Sequence, residues 1–328
     1  MKKNLVSILA ALALLVAAPV VFAADYTLKI AFIGPESHGQ YIGLNTYFKP
    51  EVEKRTNGRV SVEIYPNAQL GSDRQAIEGC SLGTLEMAAI GGSSLLPLDD
   101  RIKFMDLPFL FPDGDIAFKA YSEFLTAELN KILEPHDLTI LSTAELGFRH
   151  ITNNKLPITK PEDLKGMKIR TMENPLHVAT FKLLGANPTP VAFSELYTAL
   201  QQGTVDAQEN PINVIATAKL FEVQKYLSLT GHIYSPAMYL INTTYLNELP
   251  EDIRQTIFDV SVGAQARIHE LLVQQNKDYV EELRTAGVEV NELTPEQKQV
   301  FRALCQPVYD DYIKKYGDDL IKRIDALN

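Results

Sequence analysis

Two arginines offer the most specific chemistry in this chain. Arg170 ends the run Met167-Lys-Ile-Arg-Thr171, where Met167 and Ile169 fall on one face of a strand and Lys168 and Arg170 on the other. Arg149 lies in Gly147-Phe-Arg-His-Ile-Thr-Asn-Asn154. A guanidinium is a planar fork that meets a carboxylate through two parallel hydrogen bonds, a geometry that lysine cannot reproduce. Each charge-assisted bond is worth roughly 1.5–3 kcal/mol. Two such forks in one crevice would hold a small organic acid. An arginine taken alone is more often a surface salt-bridge partner, so the fold must decide.

Other residues can complete such a site or serve only the fold. Asn210, in Asp206-Ala-Gln-Glu-Asn-Pro211, reads as a helix N-cap followed by proline at the first helical position. Capping is compatible with ligand contact, because a helix N-terminus is also an anion site. Phe193 opens a helix after Pro190-Val-Ala and is a core residue or a platform beside a ligand. Glu36 and His38 sit in the loop after the first strand, Arg74 begins the second helix, and Ser93 lies in Gly91-Gly-Ser-Ser94. Each is solvated or in contact with ligand.

Enzyme signatures are missing. There is no G-x-S-x-G, H-E-x-x-H, G-x-x-x-x-G-K or G-x-G-x-x-G, and histidines 38, 136, 150, 177, 232 and 269 include no pair at metal-ligand spacing. No nucleophile with a paired base is evident. The sequence therefore predicts a binding protein without catalytic residues, metal or cofactor. A periplasmic sensory subunit that binds the same ligand, and a periplasmic enzyme acting on a small acid, are the competing readings.

The elements that must position these residues come in two series. Tyr26–Ile33, Val60–Tyr65 and Leu85–Ile90 read as strands separated by helices over Gln40–Asn57 and Ser72–Leu82, the order of a parallel sheet flanked by helices. A helix over about Ile116–Leu133 and a strand Leu138–Leu146 follow. The pattern then restarts with strands Phe148–Thr152, Met167–Thr171 and Thr204–Gln208 and helices Pro175–Leu184, Phe193–Gln202 and Pro211–Leu220. In such a lobe Arg170, at the carboxyl end of a strand, points to the crevice where ligands bind. The apolar run Tyr226–Asn242 can pass between the lobes as a shared strand and hinge. Pro250–Ala286 is an amphipathic run long enough to lie across both, and about Pro295–Tyr316 and Asp318–Ala326 read as closing helices.

Composition fits export. Met1-Lys-Lys-Asn4, an apolar run over Leu5–Ala18 and the ending Val21-Phe-Ala23 form a secretory signal peptide. The run is short of the roughly 20 residues needed to span a bilayer, and no cysteine stands near the cleavage point to take a lipid. Removing residues 1–23 takes away Lys2 and Lys3 and moves the net charge from −10 to −12. An acidic chain argues against nucleic acid and anionic membranes as partners. Cys80 and Cys305 are compatible with one bridge or with two buried thiols.

Taken together, several segments resemble the solute-binding subunits of TRAP transporters, the tripartite ATP-independent periplasmic importers, in their DctP-type branch. They are Tyr65-Pro-Asn-Ala-Gln-Leu-Gly-Ser-Asp-Arg74, Phe148-Arg-His-Ile-Thr-Asn153, Pro161-Glu-Asp-Leu-Lys-Gly-Met-Lys-Ile-Arg170, Gly185 through Tyr197, Leu200 through Pro211, and Lys219 through Tyr226. The resemblance implies a two-lobed α/β periplasmic binding protein fold, each lobe a mixed sheet flanked by helices, with the long helix spanning both. The first lobe would comprise 24–147 plus about 236–275, and the second 148–235 plus about 276–328. It implies Arg170 pairing the ligand carboxylate, Arg149 and Asn210 completing the anion site, Phe193 packing beside the ligand, and the Glu36–His38 loop contributing from the first lobe. It further implies a periplasmic monomer that hands its ligand to membrane permease subunits. Ala207 stands where the family pattern often has glycine. The small residues Gly91 to Ser94 stand where some sialic-acid-binding members carry an acid, which disfavours that ligand. The polar first-lobe groups tilt the expectation toward a sugar acid over a C4-dicarboxylate.

Overall fold

The computed structural model describes residues 24–327; the expected signal peptide lies outside the described residues. β1 (Tyr26–Phe32) pairs in parallel with β2 (Val60–Tyr65) and β3 (Met87–Gly91). The connections are α1 (residues 39–55, passing through a π-turn at Leu44–Phe48) and α2 (Asp73–Ser81). Ser72 starts α2 through a capping box with Gln75. A helical stretch α3 (residues 114–133) then leads into β4.

β4 (Leu138–Asn153) is one strand of 16 residues, where the sequence suggested two broken at Gly147. Its antiparallel partner β8 (Tyr226–Asn242) has 17 residues. One end of this ribbon pairs with β3 through β8, and the other pairs with β7 (Ala207–Pro211) through β4. The ribbon therefore belongs to both lobes, as expected of Tyr226–Asn242. Its register shifts at Ile140/Ser142, Glu145/Gly147 and Arg149/Ile151, and Gly147 takes φ +112°, a conformation that favours glycine. These irregularities bend the ribbon without ending it.

Beyond β7 lie β5 (Lys168–Thr171) and the edge strand β6 (Asn187–Pro190), giving the order β2-β1-β3-β8-β4-β7-β5-β6, with β9 (Glu289–Glu292) on β8. The helices of this half are α4 (Pro175–Leu183), α5 (Phe193–Gln201) and α6 (Ile212–Thr217). After β8 come α7 (Thr243–Glu248) and α8 (Glu251–Thr285), a single helix of 35 residues. Ile253, Ile257, Val260, Ala264, Ile268 and Leu272 form one buried stripe of α8 in the core beneath β1–β3, while Leu283 is buried in a separate core with α5 and α6. That division is the expected spanning helix. Gly43 lets α1 pack directly on it, since a Cβ there would stand 2.4 Å from the Ile268 side chain.

The chain closes with α9 (Pro295–Leu304), α10 (Gln306–Tyr316) and α11 (Asp319–Asp325). Cys80 and Cys305 are both buried and free, so of the two alternatives the structure has separate thiols. Burial pushes each thiol up to about 12. No helix among the described residues is long and apolar enough to cross a membrane.

Candidate functional site

Two adjoining cavities, of about 140 Å³ and about 70 Å³, lie where the loops after β1 and β3 face the carboxyl end of β5. They share Ile33, Asp73, Ser93, Arg170, Met172 and Phe193.

Arg170 reaches this wall because β5 is an interior strand held by β6 on one side and β7 on the other. It is only 2% exposed. Its Nε donates to the Val191 carbonyl at 2.9 Å, whereas its buried Nη1 has no hydrogen-bond partner among the described residues. Burial lowers the guanidinium from 12.5 to about 10, with the charge of Glu209 opposing the shift. A buried cation with an unmade donor is costly unless an anion meets it.

Across the cavity stands Asp73, the first residue of α2. Its Oδ2 accepts from Ser94 Oγ at 2.8 Å, and its Oδ1 is buried without a partner. Burial raises this carboxyl to about 7, against the pull of Ser94 and of Arg170. Near neutral pH it can therefore donate a hydrogen bond as well as accept one.

Arg149 also lines the smaller cavity, but its charge is already met. Glu209 takes it bidentately, with Nε to Oε2 at 2.5 Å and Nη2 to Oε1 at 2.8 Å, and the Glu209 carbonyl accepts from Nη2 at 2.7 Å. Nη1 donates to Ser235 Oγ at 3.2 Å. Burial would raise Glu209, yet Arg149 and His177 hold its carboxyl well below the usual range. The expected pair of free forks is thus one free fork, Arg170, and one spent within the protein.

Asn210 is buried on the cavity wall, but it is not a helix cap. It lies in β7 opposite His150, and the strand continues through Pro211, which pairs with Arg149, so α6 starts one residue later than the sequence suggested. Its Oδ1 accepts from Arg149 Nη2 at 3.2 Å and its Nδ2 donates to Gln208 Oε1 at 2.6 Å. Phe193 opens α5 and borders both cavities. Ser93 borders both as well and donates to Asp106 Oδ1 at 2.8 Å. Arg74 stands at the rim, exposed and paired with Glu78 at 3.1 Å. Glu36 is a correction: it is exposed and borders neither cavity, because the turn at Pro35 sends it outward while His38 turns in.

His38 caps α1, its Nδ1 accepting from the Gln40 amide at 3.1 Å. Burial holds it neutral, lowering its pKa from 6.5 to about 4 against the opposing pull of the neighbouring Asn213 side chain. Because the folded value lies below the unfolded one, its contribution to stability is present above pH 6.5 and is lost as pH falls toward 4, a swing of about 3 kcal/mol. Urea unfolding at pH 7.5 and 4.5 should therefore show less acid destabilisation in His38→Asn than in the parent protein; equal losses would contradict a neutral buried imidazole.

Asp73, Glu209, Asp106, His177 and His232 were not singled out from the sequence. The signal available was acidic or imidazole groups inside apolar runs, as in Phe104-Met-Asp-Leu-Pro-Phe109 and Leu176-His-Val178. Such groups must be paired if buried.

A bent ribbon shared by two lobes and a pocket between them with one unsatisfied guanidinium fit a solute receptor of the periplasmic binding type. The profile of the bacterial extracellular solute-binding protein family 7, DctP, matches residues 30–315, and the chain belongs to this family, the solute-binding subunits of TRAP transporters. It is 35% identical over 307 residues, 93% of either chain, to the 2,3-diketo-L-gulonate-binding periplasmic protein YiaO of Escherichia coli K12. A TRAP periplasmic solute-binding protein of Polaromonas, solved with D-erythronate bound, superimposes with a TM-score of 0.87 at 36% identity, covering 91% of this chain and 98% of that one. One from Sulfurospirillum deleyianum, with bound succinate, gives 0.86 at 30% identity, covering 93% and 100%. The family is one of substrate-binding receptors.

Proposed function

We propose that this protein is the exported receptor of a TRAP importer, made with a cleaved leader over residues 1–23, and that it captures a short hydroxylated monocarboxylate through Arg170 and delivers it to the membrane permease. The buried, unpartnered Nη1 of Arg170 carries this reading. The lobes comprise 24–147 with about 236–275, and 148–235 with about 276–328, closing over the ligand about the β4–β8 ribbon. Closure stabilised by ligand contacts is what would distinguish a loaded receptor from an empty one at the permease.

The choice of a monocarboxylate over a dicarboxylate rests on charge. Among the described residues bordering the larger cavity, Arg170 is the one buried cation, and Arg74 is exposed and paired. The opposite wall carries Asp73, Ser93 and Ser94. A second ligand carboxylate would face Asp73, whereas a hydroxyl there meets a carboxyl able to donate or accept. YiaO and the Polaromonas receptor are described with acids of this kind, 2,3-diketo-L-gulonate and D-erythronate.

A thermal-shift panel tests this directly. A ligand at about 100 times its dissociation constant adds roughly 2.7 kcal/mol of stability. D-Erythronate and six-carbon sugar acids are expected to raise the melting temperature more than succinate or malate does. A stronger shift with succinate would overturn the single-anion site, and no shift with any carboxylate would overturn carboxylate capture.

A further inference from the structure

Asp106 has no part in the pocket wall, yet it is fully buried and gathers polar groups from both sides of the cleft. Its Oδ1 accepts from Ser93 Oγ at 2.8 Å. Its Oδ2 accepts from Asn174 Nδ2 at 2.6 Å and stands 3.0 Å from His177 Nε2. The Asn174 amide also donates to the Ser93 carbonyl at 3.1 Å, while its Oδ1 caps α4 by accepting from the amides of Leu176 and His177. Ser93 and Asp106 precede the crossing strand β4, and Asn174 and His177 follow it. The four residues are at most 2% exposed.

We infer that Asp106, Asn174 and His177 form a clasp across the cleft that holds the receptor closed and so sets how long it retains its ligand. Ser93 and Asn174 both border the larger cavity. Arg170 is only 2% exposed as the protein stands, so a ligand gains full access to it when the walls bearing Ser93 and Arg170 separate. The opening that admits ligand pulls α4 away from Asp106. In the open form water replaces the lost partners, and in the closed form they are remade in a dry setting where charge-assisted bonds are strongest.

The acids of the clasp find their partners within the protein. His177 faces Asp106 on one side and Glu209 on the other, with Nδ1 3.5 Å from Glu209 Oε1, and Glu209 in turn holds Arg149 and contacts His232 Nε2 at 3.2 Å. The two acids are thus contacted by Arg149, His177 and His232, and neither is in contact with Arg170. Burial lowers His177, but Asp106 and Glu209 outweigh it and raise its pKa overall. His232 stays neutral, lowered by burial against the pull of Glu209. The clasp therefore closes the cleft without consuming the cation reserved for the ligand.

The inference rests on the receptor reading, and its test separates the two. Asp106→Asn keeps the acceptor for Ser93 but turns the other oxygen into a donor facing two donors; His177→Gln, which keeps a neutral donor, serves if the first variant does not fold. Nitroxide labels at the exposed positions 69 and 202, one on each lobe, report cleft width by pulsed dipolar spectroscopy. Without ligand, both variants are expected to lose the short-distance population relative to the parent. With D-erythronate as probe, release is expected to be at least tenfold faster. Unchanged distance distributions in the variants would overturn the clasp and make these bonds a fixed pivot. If D-erythronate fails to bind the parent protein, the ligand reading suffers, and the ligand-free distances alone decide the clasp.

Discussion

Replacing Arg170 by alanine is expected to weaken acid binding by roughly 30-fold to several-thousand-fold, the range that corresponds to the 2–5 kcal/mol lost when one partner of a buried charge pair is removed. In the ligand-free protein this guanidinium gives one hydrogen bond to the Val191 carbonyl and leaves Nη1 unmade. Its removal therefore takes a desolvated cation out of the core and leaves behind few unpaired groups. Unfolding stability without ligand should change far less than affinity does. Arg170→Lys is expected to recover part of the binding, since the charge returns without the fork. Isothermal titration of the best acid from the panel, paired with urea unfolding of the same variants, checks both halves. Affinity within threefold of the parent in Arg170→Ala would remove Arg170 from the anion site.

Arg170 was legible in the sequence because its position depends on local pattern alone: a short alternating strand with its carboxyl end at a crevice. The long helix α8 was legible for a similar reason, its stripe repeating every three or four residues from Ile253 to Leu272. What escaped depends on pairing between distant segments. β4 was divided at Gly147 because a glycine before Phe148 reads as a break, whereas the β8 partner carries the strand through a bulge. β6 contains two prolines in Asn187-Pro-Thr-Pro190 and reads as a turn; as the outermost strand beyond β5 it tolerates them. Asn210 satisfied every rule for a cap, and lost that role because β7 continues through Pro211 to meet Arg149. The same register delivers Glu209 to Arg149. From residue type alone Arg149 and Arg170 are both candidate forks, and only the buried acid on β7 pairs one of them within the protein while the other keeps an unmade donor.

That division of labour makes Glu209 the residue whose loss should cost the fold most. Glu209→Ala is expected to destabilise the protein by about 3–5 kcal/mol, the penalty for leaving one member of a buried ion pair uncompensated. Arg149 would keep its charge at 2% exposure with Ser235, Asn210 and the main-chain carbonyl of residue 209 as remaining partners, His232 would lose a hydrogen-bond partner, and His177 would lose a neighbouring carboxylate 3.5 Å from its Nδ1. Glu209→Gln preserves shape and one acceptor oxygen and should cost less. The pH dependence has a definite sign. The folded carboxyl lies well below its unfolded value, so its contribution is present above about pH 4.5 and disappears as pH falls through the folded value. The alanine variant should therefore lie furthest below the parent near neutral pH and approach it in acid. Urea unfolding from pH 7 down to pH 3 measures this gap. A constant gap across that range would mean that Glu209 acts through packing and not through its charge, and then the assignment of Arg149 as a neutralised structural residue would fall with it.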